Sequence, residues 1–235
     1  MGALKPVPGV LYVVATPIGN RGDLSPRAAE ILGRVTAVVA EDTRRSGLLL
    51  QGVTPRPKLI SLPAEREQAR IPLVLEQLGY GDVALVSDAG TPAISDPGRR
   101  LVAAARSAGH EVLAVPGPSA LVAAVAASGL RADRFLFLGF MPRSKTRSQR
   151  LLRAADSWAL VFHESPHRLA GTLEWTAELV GERQVAVARE ISKLHESWYL
   201  GSAAELAAGF RQAPPRGECT VVVEAPQGRG GRADG

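Results

Sequence analysis

The sequence predicts a two-domain α/β fold, with a mainly parallel sheet in the first half and a mixed sheet in the second. Three observations carry this reading. Residues 83–86, Val-Ala-Leu-Val, form a short β-branched apolar run bounded by Gly81-Asp82 and Ser87-Asp88, which reads as a buried strand. It passes at once into a loop rich in turn formers, Asp88 to Gly98, and then into a helical pattern with Leu101, Val102 and Ala105 on one face. A second unit repeats the order: strand 111–115, the tight loop Pro116-Gly117-Pro118-Ser119, and helix 120–127 closed by Ser128-Gly129. Tandem strand-loop-helix units imply a parallel sheet, and open sheets of that kind bind ligands at the carboxyl ends of their strands.

The other elements follow in order. Residues 10–15 form an apolar strand that runs into Thr16-Pro17-Ile18-Gly19-Asn20, and Asp23 or Ser25, with Pro26 behind it, starts a helix through Ala28, Ala29, Ile31 and Leu32. Residues 35–40 are the next strand. Glu41-Asp42-Thr43-Arg44-Arg45 follows, and a solvated loop is the plain reading of so dense a charge cluster. Residues 51–70 are polar, with Pro55, Pro57 and Pro63, and read as an irregular stretch able to line a substrate cleft; 71–78 is a short helix. Ahead of Leu101, Asp96 suits a helix cap and Pro97 a first helical position, with Gly109 as the stop.

After Gly129 the style changes, which places a domain junction between residues 117 and 134 and divides the chain into domains 1–117 and 118–226. Strands are expected at 134–141, 158–162, 184–188, 196–199 and 219–224, and helices at 147–155, 166–180 and 203–210. The tail, 227–235, is Gly- and Arg-rich and is expected to be disordered.

Composition sets the bounds. Of 235 residues 46% are apolar, enough for a packed core, and one cysteine, Cys219, excludes an internal disulfide and any multi-cysteine metal site, as fits a reducing cytosol. The net charge of +5 invites a polyanionic partner, but nearly all the basic residues are arginine, a bias that genomic base composition also produces, so local clustering weighs more. Residues 10–15 are too short for a signal peptide, and the apolar segment 112–127 is interrupted by Pro116, Gly117 and Pro118; a soluble, cytoplasmic protein without membrane association is expected. Neither G-x-G-x-x-G nor G-x-x-x-x-G-K-[ST] occurs, which argues against dinucleotide and nucleoside-triphosphate sites.

Several clusters bear chemistry. Arg143, Lys145, Arg147, Arg150 and Arg153 place five cations within about three helical turns. A charged helix face is most often merely solvated, yet no acidic residue occurs from Gly139 to Ala155, and a phosphate backbone would supply the missing charge. His163-Glu164-Ser165-Pro166-His167 spells H-E-x-x-H, but the zinc motif needs a continuous helix and Pro166 instead fits a first helical position capped by Ser165, so no metal is expected. Glu164 and Ala188-Arg189-Glu190, with Ser192, Lys193 and His195 beyond, stand at strand ends, where an ordinary surface ion pair is the competing explanation.

Taken together, Val13 to Asn20, Ala40 to Arg44, Ser87 to Gly98, Pro116 to Ala120, Glu164 to Arg168 and Ala188 to Glu190 resemble the motif set of the bacterial cytidine 2′-O-methyltransferases of small-subunit ribosomal RNA, a family of the tetrapyrrole methylase superfamily. The likeness spans about residues 10 to 225; Cys219 in place of an aliphatic residue and an Arg-rich segment after Met141 where Lys is usual are minor departures. It implies the two-domain tetrapyrrole methylase-like (class III) fold, S-adenosylmethionine as methyl donor bound between the domains, a homodimer, and 16S rRNA or the small ribosomal subunit as substrate, with a target in the decoding region. Donor-binding residues on this reading are Thr16, Pro17, Asp88, Gly90, Thr91, Pro92, Ile94, Ser119 and Ala120; RNA-binding residues are Arg44, Arg143, Lys145, Arg147, Arg150 and Arg153. Asp42, Glu164, Glu190 and Lys193 are candidates for the base or for orienting the acceptor hydroxyl, with no order among them. A C-methyltransferase of porphyrin-like rings and a non-catalytic RNA-binding protein are the competing functions; the basic run favours RNA over the first, and the small-residue loops argue against the second.

Overall fold

The computed structural model describes residues 9–154 and 157–227, so residues 228–235, where the tail is expected to be disordered, lie outside the described residues. The chain forms two compact units, Met1–Ser119 and Ala120–Gly235.

In the first unit β1 (Leu11–Val14), α1 (Pro26–Arg34), β2 (Ala37–Ala40), α2 (Thr43–Leu49), β3 (Lys58–Ser61), α3 (Glu67–Tyr80), β4 (Val83–Leu85), α4 (Arg99–Ser107) and β5 (Val112–Val115) follow one another. The five strands are all parallel, in the order β3-β2-β4-β1-β5. Their side chains alternate between two covered faces, which is why the strands read as continuous apolar runs. Leu11, Val39, Ile60 and Leu85 pack with Ile71, Val74 and Leu78 of α3 and Leu101 of α4. Tyr12, Val14, Val38 and Ala84 pack with Ala28, Ile31 and Leu32 of α1. Ser25 caps α1 as expected, its hydroxyl accepting from Ala28 N at 3.1 Å, with Pro26 in the first turn.

The second unit contains α5 (Ala120–Ala127), β6 (Phe135–Phe140), α6 (Lys145–Ala154), β7 (Ala159–Glu164), α7 (Pro166–Val180), β8 (Gln184–Arg189), β9 (Ser197–Ser202), α8 (Ala203–Gln212) and β10 (Cys219–Val223). The sheet order is β6-β7-β10-β8-β9. Only β6 and β7 are parallel; β10 runs antiparallel to both its neighbours and β9 antiparallel to β8. One face, with Leu160, Phe162, Val187 and Val221, lies under α6, α7 and α8 through Leu152, Leu169, Leu173 and Phe210. The other, with Ala159, Val161, Ala186 and Ala188, meets Ala124 of α5.

Three sequence expectations are corrected. Residues 51–70 are not irregular throughout: β3 lies inside that stretch, and α3 begins at Glu67, one turn before the proposed start. Pro72 lies inside α3. Asp96 does not cap α4, whose N-cap is Gly98 without a side-chain bond. The cap comes from α3: Glu67 Oε1 accepts from the backbone N–H groups of Gly98 (3.1 Å), Arg100 (2.8 Å) and Leu101 (3.2 Å). A buried carboxylate thus takes the place of a local cap and meets the positive end of the helix dipole. Ser165 occupies the N-cap of α7 with Pro166 next, but its side chain makes no capping bond; its own N–H donates to Glu164 Oε1 at 2.7 Å.

Glu67→Ala leaves those amides without their carboxylate and is expected to cost about 2 kcal/mol. The measurements are the urea midpoint and hydrogen exchange, which should quicken at Arg100 and Leu101 while the amides of β10 keep wild-type protection.

Candidate functional site

Because β1 lies between β4 and β5, the loops that leave their carboxyl ends are neighbours, and the chain knits them together. Thr16 and Gly90 exchange two backbone hydrogen bonds, at 2.9 and 3.0 Å. The Thr16 hydroxyl donates to the Ser87 carbonyl at 3.2 Å, and the Thr91 hydroxyl to the Pro118 carbonyl at 3.3 Å. Thr16, Gly90 and Pro92 are buried, Pro17, Asp88, Thr91, Ser119 and Ala120 are half-buried, and Ile94 is exposed; Ala120 opens α5 of the second unit. The expected donor-loop residues of the first unit are therefore brought to one edge of the sheet.

The loop after β4 is held in an unusual conformation. Gly90 has φ +81°, and a Cβ there would stand 3.3 Å from Ile18 Cγ2, so glycine lets the two loops close on each other. Ala93 and Ser95 both have φ +65°, a region side chains avoid. Strain of this kind persists only where surrounding contacts impose it, and it clusters at ligand sites.

Acidic groups gather at the same edge. Asp88 Oδ1 accepts from Asp42 N at 3.1 Å, and its other oxygen lies 3.5 Å from Arg45, which ties the end of β2 to the end of β4. Burial, and then the neighbouring Glu41 charge, push the Asp96 carboxyl up to about 6 against a hydrogen bond with Ser87; burial and Asp88 likewise raise Glu41. Asp42, by contrast, caps α2 and is gripped by Arg44 at 3.0 and 2.8 Å, which lowers its carboxyl to about 2. Arg44, expected to meet RNA, is engaged with that carboxylate.

In the second unit Glu164 and Arg189 both pair with Cys219 in the sheet register and so end at the same edge. Their surroundings differ. The Glu164 side chain has no exposed surface; its carboxylate accepts from Ser165 N and the Thr172 hydroxyl, and meets Arg168 at 3.2 Å. Arg168 in turn donates to the carbonyls of Met141 (2.9 Å) and Pro142 (2.7 Å). Glu190 remains 19% exposed, with its carboxylate 2.9 Å from Lys193 Nζ and accepting from Glu218 N at 2.8 Å. Lys193 also reaches Glu218 at 2.8 Å. The lysine hydrogen bond lowers Glu190; Lys193 itself rises because its two carboxylate partners outweigh the burial that opposes them. Glu190 has φ +54°, and a Cβ at Gly217 would collide with its carboxyl, so the cluster needs glycine there. Glu218 and Gly217 were not singled out from sequence; they precede β10 and reach Glu190 only through strand pairing.

On α6, Lys145 bonds Glu178 of α7 at 2.6 Å, so one of the five cations is neutralised by a residue distant in sequence. Arg143, Arg147, Arg150 and Arg153 are exposed and form no ion pair among the described residues. His163 stands on β7 and His167 in the first turn of α7, so the two imidazoles of the H-E-x-x-H string do not share a helix face.

Residues 10–207 match the family described as Tetrapyrrole (Corrin/Porphyrin) Methylases, and the chain belongs to it: it is a methyltransferase. Solved structures share the fold: the cobalamin biosynthetic enzyme cobalt precorrin-4 methyltransferase has TM-score 0.67 at 14% identity, covering 92% of this chain and 94% of that one. Uroporphyrin-III C-methyltransferase from Thermus thermophilus, complexed with S-adenyl homocysteine, has TM-score 0.63 at 20% identity, covering 92% and 97%.

Within the family the chain stands with the proteins named Ribosomal RNA small subunit methyltransferase I. It is 44% identical to that of Thermotoga maritima over 93% of this chain and all of the relative, and 44% identical to that of Synechocystis over 92% and 78%. The Escherichia coli O157:H7 relative is 42% identical over 92% and 78%.

The raised Asp96 carboxyl has a consequence for stability. The folded state holds its proton more tightly than the unfolded chain, so ionisation opposes folding increasingly as pH rises from about 4 to about 6. Asp96→Asn is therefore expected to raise the urea midpoint at pH 8 and to leave it unchanged at pH 3, where both states are protonated; equal shifts at both values would contradict the assignment.

Proposed function

We propose that this chain transfers the methyl group of S-adenosylmethionine to the 2′-hydroxyl of a cytidine in the decoding region of small-subunit (16S) ribosomal RNA, acting as a cytoplasmic homodimer. The observation that carries the reading is identity above 40% with rRNA small subunit methyltransferases I over more than nine-tenths of the chain. The proposed domains are 1–117 and 118–226, with the donor residues Thr16 to Ile94 in the first and Ser119, Ala120 and the basic helix in the second.

Thr16, Pro17, Asp88, Gly90, Thr91, Pro92, Ile94, Ser119 and Ala120 would hold the donor. The fit is chemical. The knitted loops, drawn close through Gly90, offer backbone acceptors and donors, and the Glu41, Asp88 and Asp96 carboxylates suit a ligand that carries a sulfonium and an ammonium group. The donor supplies an activated methyl with a neutral thioether as leaving group. The protein's task is then to align the hydroxyl and to receive its proton. Of the four candidates, Asp42 is held by Arg44 and Glu164 is fully enclosed under α7. Lys193 is a firmly protonated cation. Glu190 is the proton acceptor on this reading: it is ionised at neutral pH, partly exposed, and oriented by Lys193 and Glu218 N.

The test is transfer of labelled methyl from S-adenosylmethionine to small-subunit particles from cells lacking the modification, with the nucleotide mapped by mass spectrometry. Labelling of a tetrapyrrole but not of the particles would reverse the assignment. Glu190→Gln should lower kcat by about 100-fold with donor affinity unchanged. Gly90→Ala should do the reverse, weakening donor binding in calorimetry by about tenfold, the equivalent of one lost interaction of about 1.4 kcal/mol.

A further inference from the structure

Arg143 just before α6 and Arg147, Arg150 and Arg153 on it offer charge for phosphates, but charge alone does not hold a base in place. Immediately ahead of α6, β6 departs from regular pairing. Phe137 pairs with Val161, whereas Phe140 rather than Gly139 pairs with His163, so one extra residue is inserted between them, with Gly139 at φ +67°. Such a bulge re-aims the side chain that follows it. Here it brings Phe140 onto the sheet face of Phe137 and His163 and leaves Met141 in the core on the opposite face.

The result is a small aromatic group. The His163 ring lies 5.1 Å from that of Phe137 and 5.4 Å from that of Phe140, and its Nδ1 is 3.0 Å from the Thr220 hydroxyl. Phe137 and His163 are half-buried; Phe140 is 63% exposed. Burial holds the His163 imidazole below its usual pKa, so the group is uncharged at neutral pH. The chain between this ring and the arginines is fixed. Arg168 holds the carbonyls of Met141 and Pro142, the Ser148 hydroxyl donates to Pro142 O at 3.0 Å, and buried Glu164 holds Arg168. Phe140 and Arg143 are three residues apart, at most about 11 Å along the chain.

From this juxtaposition we propose that Phe140 is a stacking platform for one unpaired nucleobase of an RNA strand whose phosphates lie on Arg143, Arg147 and Arg150. The inference rests on the reading of the chain as an rRNA methyltransferase and adds the residue that fixes the strand's register. An exposed ring packed against the His163 imidazole, followed along the chain by guanidinium groups that form no ion pair among the described residues, is what single-stranded recognition requires. Arg147, Arg150 and Arg153, spaced three residues apart, repel one another on α6, and a polyanion relieves that repulsion.

The experiment measures fluorescence anisotropy of two labelled probes, a single-stranded oligocytidine and an abasic oligonucleotide of equal length, against the full chain. Phe140→Ala should bind oligocytidine about tenfold more weakly and the abasic strand unchanged, with no change in salt dependence. Phe140→Trp should restore oligocytidine binding. Arg147→Ala should weaken both probes and reduce the slope of log affinity against log salt by about one. Wild-type binding by Phe140→Ala, or by Phe140→Leu, which keeps an apolar side chain without a ring, would overturn the platform while leaving the rRNA reading intact. Failure of the unaltered chain to bind either probe would overturn both.

Discussion

The paired backbone bonds between Thr16 and Gly90 are the constraint on which the site depends. They form an isolated antiparallel bridge beyond the ends of the parallel strands β1 and β4, so two loops of turn-forming residues become a fixed surface. Each further tie builds on that one. Thr91 reaches the loop after β5, Asp88 reaches the start of α2, and Glu67 pins the far end of the same loop where α4 begins. An edge built this way is preorganised by main-chain geometry rather than by long side chains, which would lower the entropy lost by a ligand settling there.

Most of the architecture was legible in the sequence because it is written in short-range terms. Apolar runs between turn formers marked the strands, Ser25-Pro26 marked a helix start, and the loops at Thr16, Asp88 and Pro116 were placed at strand ends by their residue types alone. What was not legible depends on partners far along the chain. No local pattern announces that Glu67 caps a helix more than thirty residues away, so the nearer Asp96 took that role in a local reading. Strand β3 was hidden because its neighbours supply prolines and charges, and its identity comes from pairing with β2.

The candidate residues divide along the same line. Asp42, Glu164, Glu190 and Lys193 look alike as charged residues at strand ends, and only their neighbours separate them. Arg44 claims Asp42, the enclosure beneath α7 claims Glu164, and the network of Glu190, Lys193 and Glu218 leaves one carboxylate partly open. The basic helix shows the converse. Counting charges within the segment missed Glu178, which arrives from α7; Arg143, Arg147, Arg150 and Arg153 form no ion pair among the described residues.

The position of β10 has a consequence for synthesis. It lies between β7 and β8, so the second sheet has a gap at its centre until the final strand joins it. The first unit closes its own sheet with β5 and has every strand it needs while the rest of the chain is still being made. Translation order therefore separates the two halves in time: the edge assigned to the donor forms early, and the sheet that carries the basic helix is completed last.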